Sequence, residues 1–290
     1  MIITRDTIKL LRIPFSIFLM PVFLLALSQA SQVNLQNTVL AFFIIHLLVY
    51  PASNGYNSYA DRDTASIGGL EHPPMPTKDL FYVTCLLDLL AVLLSYVCIG
   101  WEFSLAIFLY ILSSRAYSSR QVRLKKYAFG GFLGVFIFQG AFTYYMSSIA
   151  ISAHPFVWQE HRFVLIAASL QIAGAYPITQ VYQHQQDLAD GVITLSYRLG
   201  IKGTFVFTGL MFALCNVFYF LHLQEQHHLE QFYLLQVFFL PIIMYFSTWF
   251  LKVLKDPSKA NFKHTMQMNM IASVCMSSYF ILLIILNHTH

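Results

Sequence analysis

Nine stretches of the chain, near residues 10–28, 38–55, 79–99, 102–116, 129–150, 162–182, 203–222, 231–251 and 266–286, are almost wholly apolar. Most approach the ~20 residues an α-helix needs to cross a bilayer. Runs of this length leave one class of fold open, because in lipid every backbone N–H and C=O must be paired within the segment or around a closed barrel. The expected architecture is all-α: a multi-pass membrane protein, a bundle of nine transmembrane helices forming a single domain over residues 1–290. Composition agrees, since 57% of residues are hydrophobic and 10% charged, against about 25% charged in soluble domains. The fourth run, about 15 residues at 1.5 Å each, is too short to cross upright and is expected to tilt or to border a polar cavity.

Charge distribution tests the count. With nine spans, one side of the membrane holds Arg5, Lys9, Arg12, Arg62, Lys78, Arg115, Arg120, Arg123, Lys125, Lys126, Arg198, Lys202, Lys252, Lys255, Lys259 and Lys263, which is sixteen of the seventeen basic residues. The other holds only Arg162. Positive residues collect on the cytoplasmic side, so the chain is expected in the cell membrane with its N-terminus cytoplasmic, its C-terminus external and its chemistry on the cytoplasmic side. The basic residues are scattered between apolar runs, which argues against nucleic acid as a partner. Cys85, Cys98, Cys215 and Cys275 lie in or beside apolar runs with no ligand-like spacing, and read as packing residues. Leu10 to Leu27, interrupted by Pro14 and Pro21, lacks a small-residue cleavage site and reads as a first membrane helix rather than a signal peptide.

The chemistry is concentrated where spans two and six emerge. His46, Tyr50, Asn54, Asn57 and Asp61 follow one another at steps of four, four, three and four, one stripe on a helix face, with Asp63 just beyond. Gln171, Thr179, Gln183 and Asp187 form a second such stripe, followed by Asp190. Polar groups within a membrane are costly and usually line a site, and carboxylates are the oxygen ligands that Mg²⁺ bound to phosphate uses. Between the two clusters lies the densest cationic segment, Arg115 to Lys126. Carboxylates and cations together suit a diphosphate, with metal bridging its oxygens to Asp and with Arg and Lys neutralising the rest. Asp88, inside the third span, reads either as a proton carrier or as an interior carboxylate paired with a neighbouring helix. His222, His227 and His228 read as a solvated connection.

These residues resemble the UbiA superfamily of intramembrane prenyltransferases over nearly the whole chain. Asn57-Ser-Tyr-Ala-Asp61-Arg-Asp63 resembles its first Asp-rich motif, NDxxDxxxD, with Ser58 at the first Asp and Ala65 at the last. Tyr117-Ser118 with Arg123-Leu-Lys125 resembles the loop after helix four. Asp187-Leu-Ala-Asp190-Gly191, continuing through Thr194-Leu195 to Arg198, resembles the second motif, with Gln183 at its first Asp. The resemblance implies nine helices and a Mg²⁺-dependent transfer of an isoprenoid chain from an allylic diphosphate to an aromatic or other lipophilic, nucleophilic acceptor, within membrane lipid. It implies Asp61 and Asp187 as the central residues and metal ligands, joined by Asp63 and Asp190. Asn54, Asn57, Tyr117, Arg123, Lys125, Gln183, Arg198 and Lys202 are expected to bind substrate. Two rival readings remain open, an intramembrane terpene cyclase on the same fold and a small-solute transporter.

Overall fold

In the computed structural model, which describes residues 4–288, each of the nine apolar runs is built largely of helix. Among the described residues no strand forms, and β pairing is confined to the isolated bridges Val33–Ser152 and Ile67–Leu70. The first run is broken: α1 (Arg5–Leu10) leads through a 3₁₀ segment (Ile13–Phe18) into α2 (Met20–Ser28), with a bend of 42°. Arg12 sits between the first two in a left-handed conformation, and Pro14 and Pro21 open the segments that follow, where a missing N–H is harmless. The second run is one rod, Leu35–Asp61, composed of α3 (Leu35–Phe43), a π-helical turn (Ile44–Val49) and α4 (Tyr50–Asp61). Pro51 accounts for the wide turn, because its ring crowds the carbonyl four residues back and it has no N–H to donate.

A hairpin follows, α5 (Lys78–Cys98) and α6 (Trp101–Ser118), turning at Gly100, whose φ of 148° favours glycine. A second π-helical turn (Phe136–Phe142) joins α7 (Ala128–Val135) to α8 (Thr143–Ile151). Here the backbone meets α9 (Trp158–Ile178) so closely that a Cβ on Gly140 would lie 2.4 Å from Cα of Ser169. The Ala141 N–H donates to Ser169 Oγ at 2.9 Å instead of continuing the ladder. The short α10 (His184–Ala189) and the long α11 (Leu195–Glu225), α12 (Leu229–Lys255) and α13 (Phe262–His288) complete the bundle.

Helix α9 is the axis of the packing. Every residue from Ala167 to Gly174 is buried, mostly against α11 and the second π turn. The small side chains of Ala167, Ala168, Ala173 and Gly174 let neighbouring helices approach, as membrane packing requires. The outer faces are apolar instead: Leu86, Leu89, Leu93 and Val97 of α5 and Val206, Leu210, Leu214 and Val217 of α11 are all exposed. That pattern suits lipid and would be a large apolar patch in water.

Among the described residues, six helices or continuous rods are long and apolar enough to cross a membrane, and a seventh if the bent α1–α2 pair counts as one. Helices α6 and α9, on the fourth and sixth apolar runs, are not among them: Glu102 and Arg115 in α6 and His161 and Arg162 in α9 lower their mean hydropathy, and Ser113, Ser114 and Gln171 line the cavity. His290, expected to be external, lies outside the described residues.

Candidate active site

A cavity of about 290 Å³ opens between the ends of α4, α6 and α9 and continues among α7, α11, α12 and α13. The two carboxylate clusters meet at its mouth. Asn54, Asn57, Asp61 and Asp63 line it from one side, and Gln183, Asp187 and Asp190 from the other, with Tyr117 and Lys125 between them. Helix α4 ends where it does because Arg62 turns left-handed, at φ 56°. The chain thereby swings Asp63 back toward α10, where the Gln186 amide hydrogen-bonds its carboxylate. The second stripe is not one helix: α9 ends at Ile178, just past Pro177, and a turn precedes α10, yet Gln171, Thr179, Gln183 and Asp187 all line the cavity.

The basic loop closes over this mouth. Arg123 adopts φ 49°, and the 3₁₀ turn Leu124–Lys126 follows it, so that Arg123 and Lys125 point the same way although they are two residues apart. Lys125 forms an ion pair with the Asp61 carboxylate. Arg123 forms one with Asp190 and stands 4.0 Å from Asp61 Oδ1. Arg120 ties the two clusters together: its Nε donates to the Ala60 carbonyl at 2.7 Å, its Nη2 to the Asp61 carbonyl at 3.2 Å and its Nη1 to Asp190 Oδ1 at 2.9 Å. A guanidinium at the carbonyl end of α4 also complements the helix dipole. Asn57 Nδ2 donates to Asp61 Oδ2 at 2.8 Å and to Ser118 Oγ at 3.2 Å. Below them the Tyr117 and Tyr176 hydroxyls share a hydrogen bond of 2.5 Å, with Gln180 Nε2 donating to Tyr176 at 2.9 Å.

Crowded carboxylates in a half-dry site hold their protons. Burial, reinforced by the charge of Asp61, pushes Asp63 up to about 6 against the pull of Lys125, Arg12 and the Gln186 amide. Burial pushes Asp187 up to about 7, where Lys125 opposes the shift while Asp63, Asp61 and Asp190 add to it. Among the described residues no three His, Cys, Asp or Glu side chains converge closely enough to hold a metal by themselves. The donor set nonetheless suits Mg²⁺, which is commonly held by one or two carboxylates plus substrate phosphate oxygens. Asp61 Oδ1 is buried with no hydrogen-bond donor, and the Asp187 carboxylate accepts no hydrogen bond among the described residues. Each therefore keeps lone pairs for a metal, with Arg123 standing 4.0 Å from Asp61 Oδ1.

Several expectations need correction. Arg198 and Lys202 are exposed at the start of α11 and do not line the cavity. Arg198 lies over the Phe129 ring at 5.8 Å, and Gly200 breaks the helix just beyond it with φ 67° and ψ 171°. His46 and Tyr50 do not extend the polar wall either; both are buried, with the His46 ring packed among Phe23, Phe42 and Tyr50. Asp88, by contrast, takes the interior pairing that the sequence allowed, in an ion pair with Arg115, whose guanidinium also sits 3.9 Å above the Tyr56 ring. His222 is buried and hydrogen-bonded to Gln29 Oε1 at 2.7 Å rather than solvated. The sequence reading missed Arg12 and Arg120 as site residues. Arg12 is 8% exposed and lines the mouth, with its Nη1 and Nη2 donating to the carbonyls of Gly68 and Asn54, each at 3.0 Å. An arginine at the head of an apolar run, following Arg5 and Lys9, looks like one more topology signal.

The family model of the UbiA prenyltransferase family matches residues 17–271. The chain belongs to that family. Solved UbiA structures share the fold across almost the full length of both chains. One is a UbiA homolog from Archaeoglobus fulgidus bound to GPP and Mg²⁺, with TM-score 0.71, 17% identity and coverage of 96% of this chain and 99% of that one. Another is the apo structure of a UbiA homolog from Aeropyrum pernix K1, with TM-score 0.71, 15% identity and coverage of 93% and 98%. A digeranylgeranylglyceryl phosphate synthase matches with TM-score 0.62 and 15% identity over 99% of both chains. No curated protein matches in sequence.

Proposed function

We propose that this UbiA-family protein is a membrane prenyltransferase, Mg²⁺-dependent, that moves an isoprenoid chain from an allylic diphosphate to a lipophilic nucleophilic acceptor. The observation that carries the reading is the convergence of Asp61, Asp63, Asp187 and Asp190 with Lys125, Arg123 and Arg12 at the polar mouth of a cavity whose interior is lined by Phe138, Phe212 and Phe239. A structure of an A. fulgidus homolog holds GPP and Mg²⁺, the chemistry this mouth suits. Asp61 and Asp187 would hold the ion together with the diphosphate. When bound, the ion neutralises negative charge on the departing diphosphate.

The residues of this chain supply the rest. Lys125, Arg123 and Arg12 hold the remaining diphosphate charge, the apolar interior takes the isoprenoid chain, and the ring faces of its Phe lining shield positive charge at the allylic carbon from water. The C1–O bond breaks with its electron pair leaving on the diphosphate. An acceptor electron pair forms the new bond to C1, and the acceptor proton passes to the diphosphate. The sixteen-to-one partition of basic residues supports nine spans in one domain over 1–290, with the mouth and the N-terminus cytoplasmic and the C-terminus external.

The test uses purified protein, GPP, Mg²⁺ and a membrane lipid extract as the acceptor source. Prenylated product that appears only with acceptor, and disappears in Asp61→Ala and Asp187→Ala, is expected. Cyclic hydrocarbon released from GPP without acceptor would establish the cyclase instead. Solute flux in proteoliposomes unaffected by either substitution, with no turnover of GPP, would establish the transporter.

A further inference from the structure

Away from the carboxylates, polar side chains interrupt the apolar lining of the cavity, notably Gln171 of α9 with Asn269 and Ser273 of α13. Asn269 and Ser273 are four residues apart and share a helix face. They are 8% and 5% exposed, and neither side chain makes a hydrogen bond among the described residues. The Gln171 carbonyl oxygen accepts from the Tyr219 hydroxyl at 2.9 Å, which leaves its amide hydrogens without an acceptor. Depth follows from helix geometry. Phe262 starts α13 packed edge-on against Tyr182 at the mouth, with ring centroids 5.5 Å apart. Asn269 therefore lies roughly 10 Å further along the axis and Ser273 roughly 16 Å.

Amides facing a hydrocarbon chain would lose their water and gain no partner, a costly arrangement. An isoprenoid tail is therefore a poor occupant of this wall, whereas a ligand carrying oxygen atoms completes it. Charge narrows the choice further. The cations lining the cavity among the described residues are Arg12 and Lys125, both at the mouth beside the carboxylates. The recess offers an anionic headgroup no counter-charge, and burying an unpaired carboxylate there would be severely unfavourable.

We propose that Gln171, Asn269 and Ser273 form the acceptor subsite and that the acceptor is a neutral molecule bearing a hydrogen-bonding oxygen, of the phenol or alcohol class, without a carboxylate. The proposal rests on the prenyltransferase reading, which assigns the mouth to the diphosphate and the wall of Phe138, Phe212 and Phe239 to the isoprenoid chain, and leaves the polar wall of the same cavity for the second substrate.

The test measures saturable quenching of intrinsic tryptophan fluorescence, in lipid nanodiscs, by 1-naphthol and by 1-hydroxy-2-naphthoate, which differ by one carboxylate. Binding of GPP with Mg²⁺ is measured on the same samples. Saturable 1-naphthol binding is expected, weakened roughly fivefold or more in Asn269→Leu, as loss of one hydrogen bond predicts, with GPP binding unchanged and the naphthoate failing to saturate. Ser273→Ala, too small a change to disturb folding, should weaken 1-naphthol binding in the same direction. Naphthoate binding as tight as naphthol, or naphthol binding untouched by both substitutions, overturns the proposal. Intact GPP binding without any naphthol binding overturns the subsite alone, whereas absence of Mg²⁺-dependent GPP binding overturns the prenyltransferase reading itself.

Discussion

Replacing Lys125 by Met isolates the electrostatics of the mouth. The Lys125 ammonium pairs with Asp61, and the two side chains are 11% and 4% exposed. Lys125 is also the counter-charge that holds down the protonation of both Asp63 and Asp187. Removing one partner of a buried pair typically costs about 3–5 kcal/mol. Here Asp61 keeps the Asn57 amide at 2.8 Å and Arg123 at 4.0 Å, so about 2–3 kcal/mol is the appropriate expectation. A bound divalent ion should restore most of it, because in the variant the ion takes the place of the lost counter-charge whereas in wild type it competes with the Lys125 ammonium for Asp61, and ligand at 100 times its Kd stabilises by about 2.7 kcal/mol. Thermal unfolding of wild type and Lys125→Met in nanodiscs, with EDTA and with saturating Mg²⁺, reads both numbers. The variant should unfold several degrees below wild type in EDTA and nearly coincide with it in Mg²⁺. Equal midpoints in EDTA, or a gap that Mg²⁺ leaves unchanged, would refute the view that Lys125 occupies the place of the metal's charge.

Other outcomes follow from particular contacts. Gly140→Ala would push a Cβ to 2.4 Å from the α9 backbone and should cost about 1–3 kcal/mol by overpacking; Gly134→Ala, whose Cβ meets nothing within 4 Å, should be neutral or stabilising by up to about 1 kcal/mol, and the difference between their unfolding midpoints checks the pair. Asp63 and Asp187 have raised values, so the metal-free protein binds protons more tightly than the unfolded chain and should lose stability as pH rises from about 4 through 6 to 7. Mg²⁺ affinity should rise over the upper part of that window as protons cease to compete, and calorimetry at pH 5.5 and 8 reads the change. Arg198→Ala and Lys202→Ala should leave the KM for GPP within about twofold, whereas Arg123→Lys should raise it, since an ammonium cannot replace the planar fork toward two oxygens; steady-state kinetics at saturating acceptor separates them.

What the sequence made legible was whatever depended on local pattern. Runs of apolar residues announced the helices, and the Asp61 and Asp187 ends could be paired because both motifs carry recognisable spacing. The stripe failed at its start for two reasons: His46 lies within the π turn over Ile44–Val49, where one extra residue per turn rotates its side chain relative to those of α4, and Tyr50, at the head of α4, is buried between the His46 and Tyr110 rings. Arg198 and Lys202 failed because nearness to the second motif along the chain is not nearness in space once Gly191 and Gly200, both at positive φ, redirect the backbone. Arg12 and Arg120 could not be found by spacing, since, apart from the Asp190 carboxylate that Arg120 also meets, their targets are carbonyl oxygens of residues 54, 60, 61 and 68. Backbone acceptors leave no signature in composition. Asp88 and Arg115 face each other across two helices, a pairing that depends on how α5 and α6 rotate about their axes.

The π turn over Phe136–Phe142 has a bearing on how such a bundle changes over evolutionary time. A turn of this kind is the mark of a helix that has absorbed a single-residue insertion without unwinding. Excising one residue between Phe136 and Phe142 would return the rod to regular α geometry and swing α8 by about 100° relative to α7. Tyr144, fully buried and hydrogen-bonded to His161 at 2.8 Å, would be carried out of its seat, and Ser169 would lose the N–H it receives from Ala141. A lineage can therefore exchange Phe138 or Gln139 on the cavity wall without disturbing the rod, while the length of this segment is held fixed by partners on α9. Alignment of relatives should show substitutions but no gaps here, which makes the segment a place where the shape of the chamber is revised by replacing side chains rather than by inserting or deleting residues.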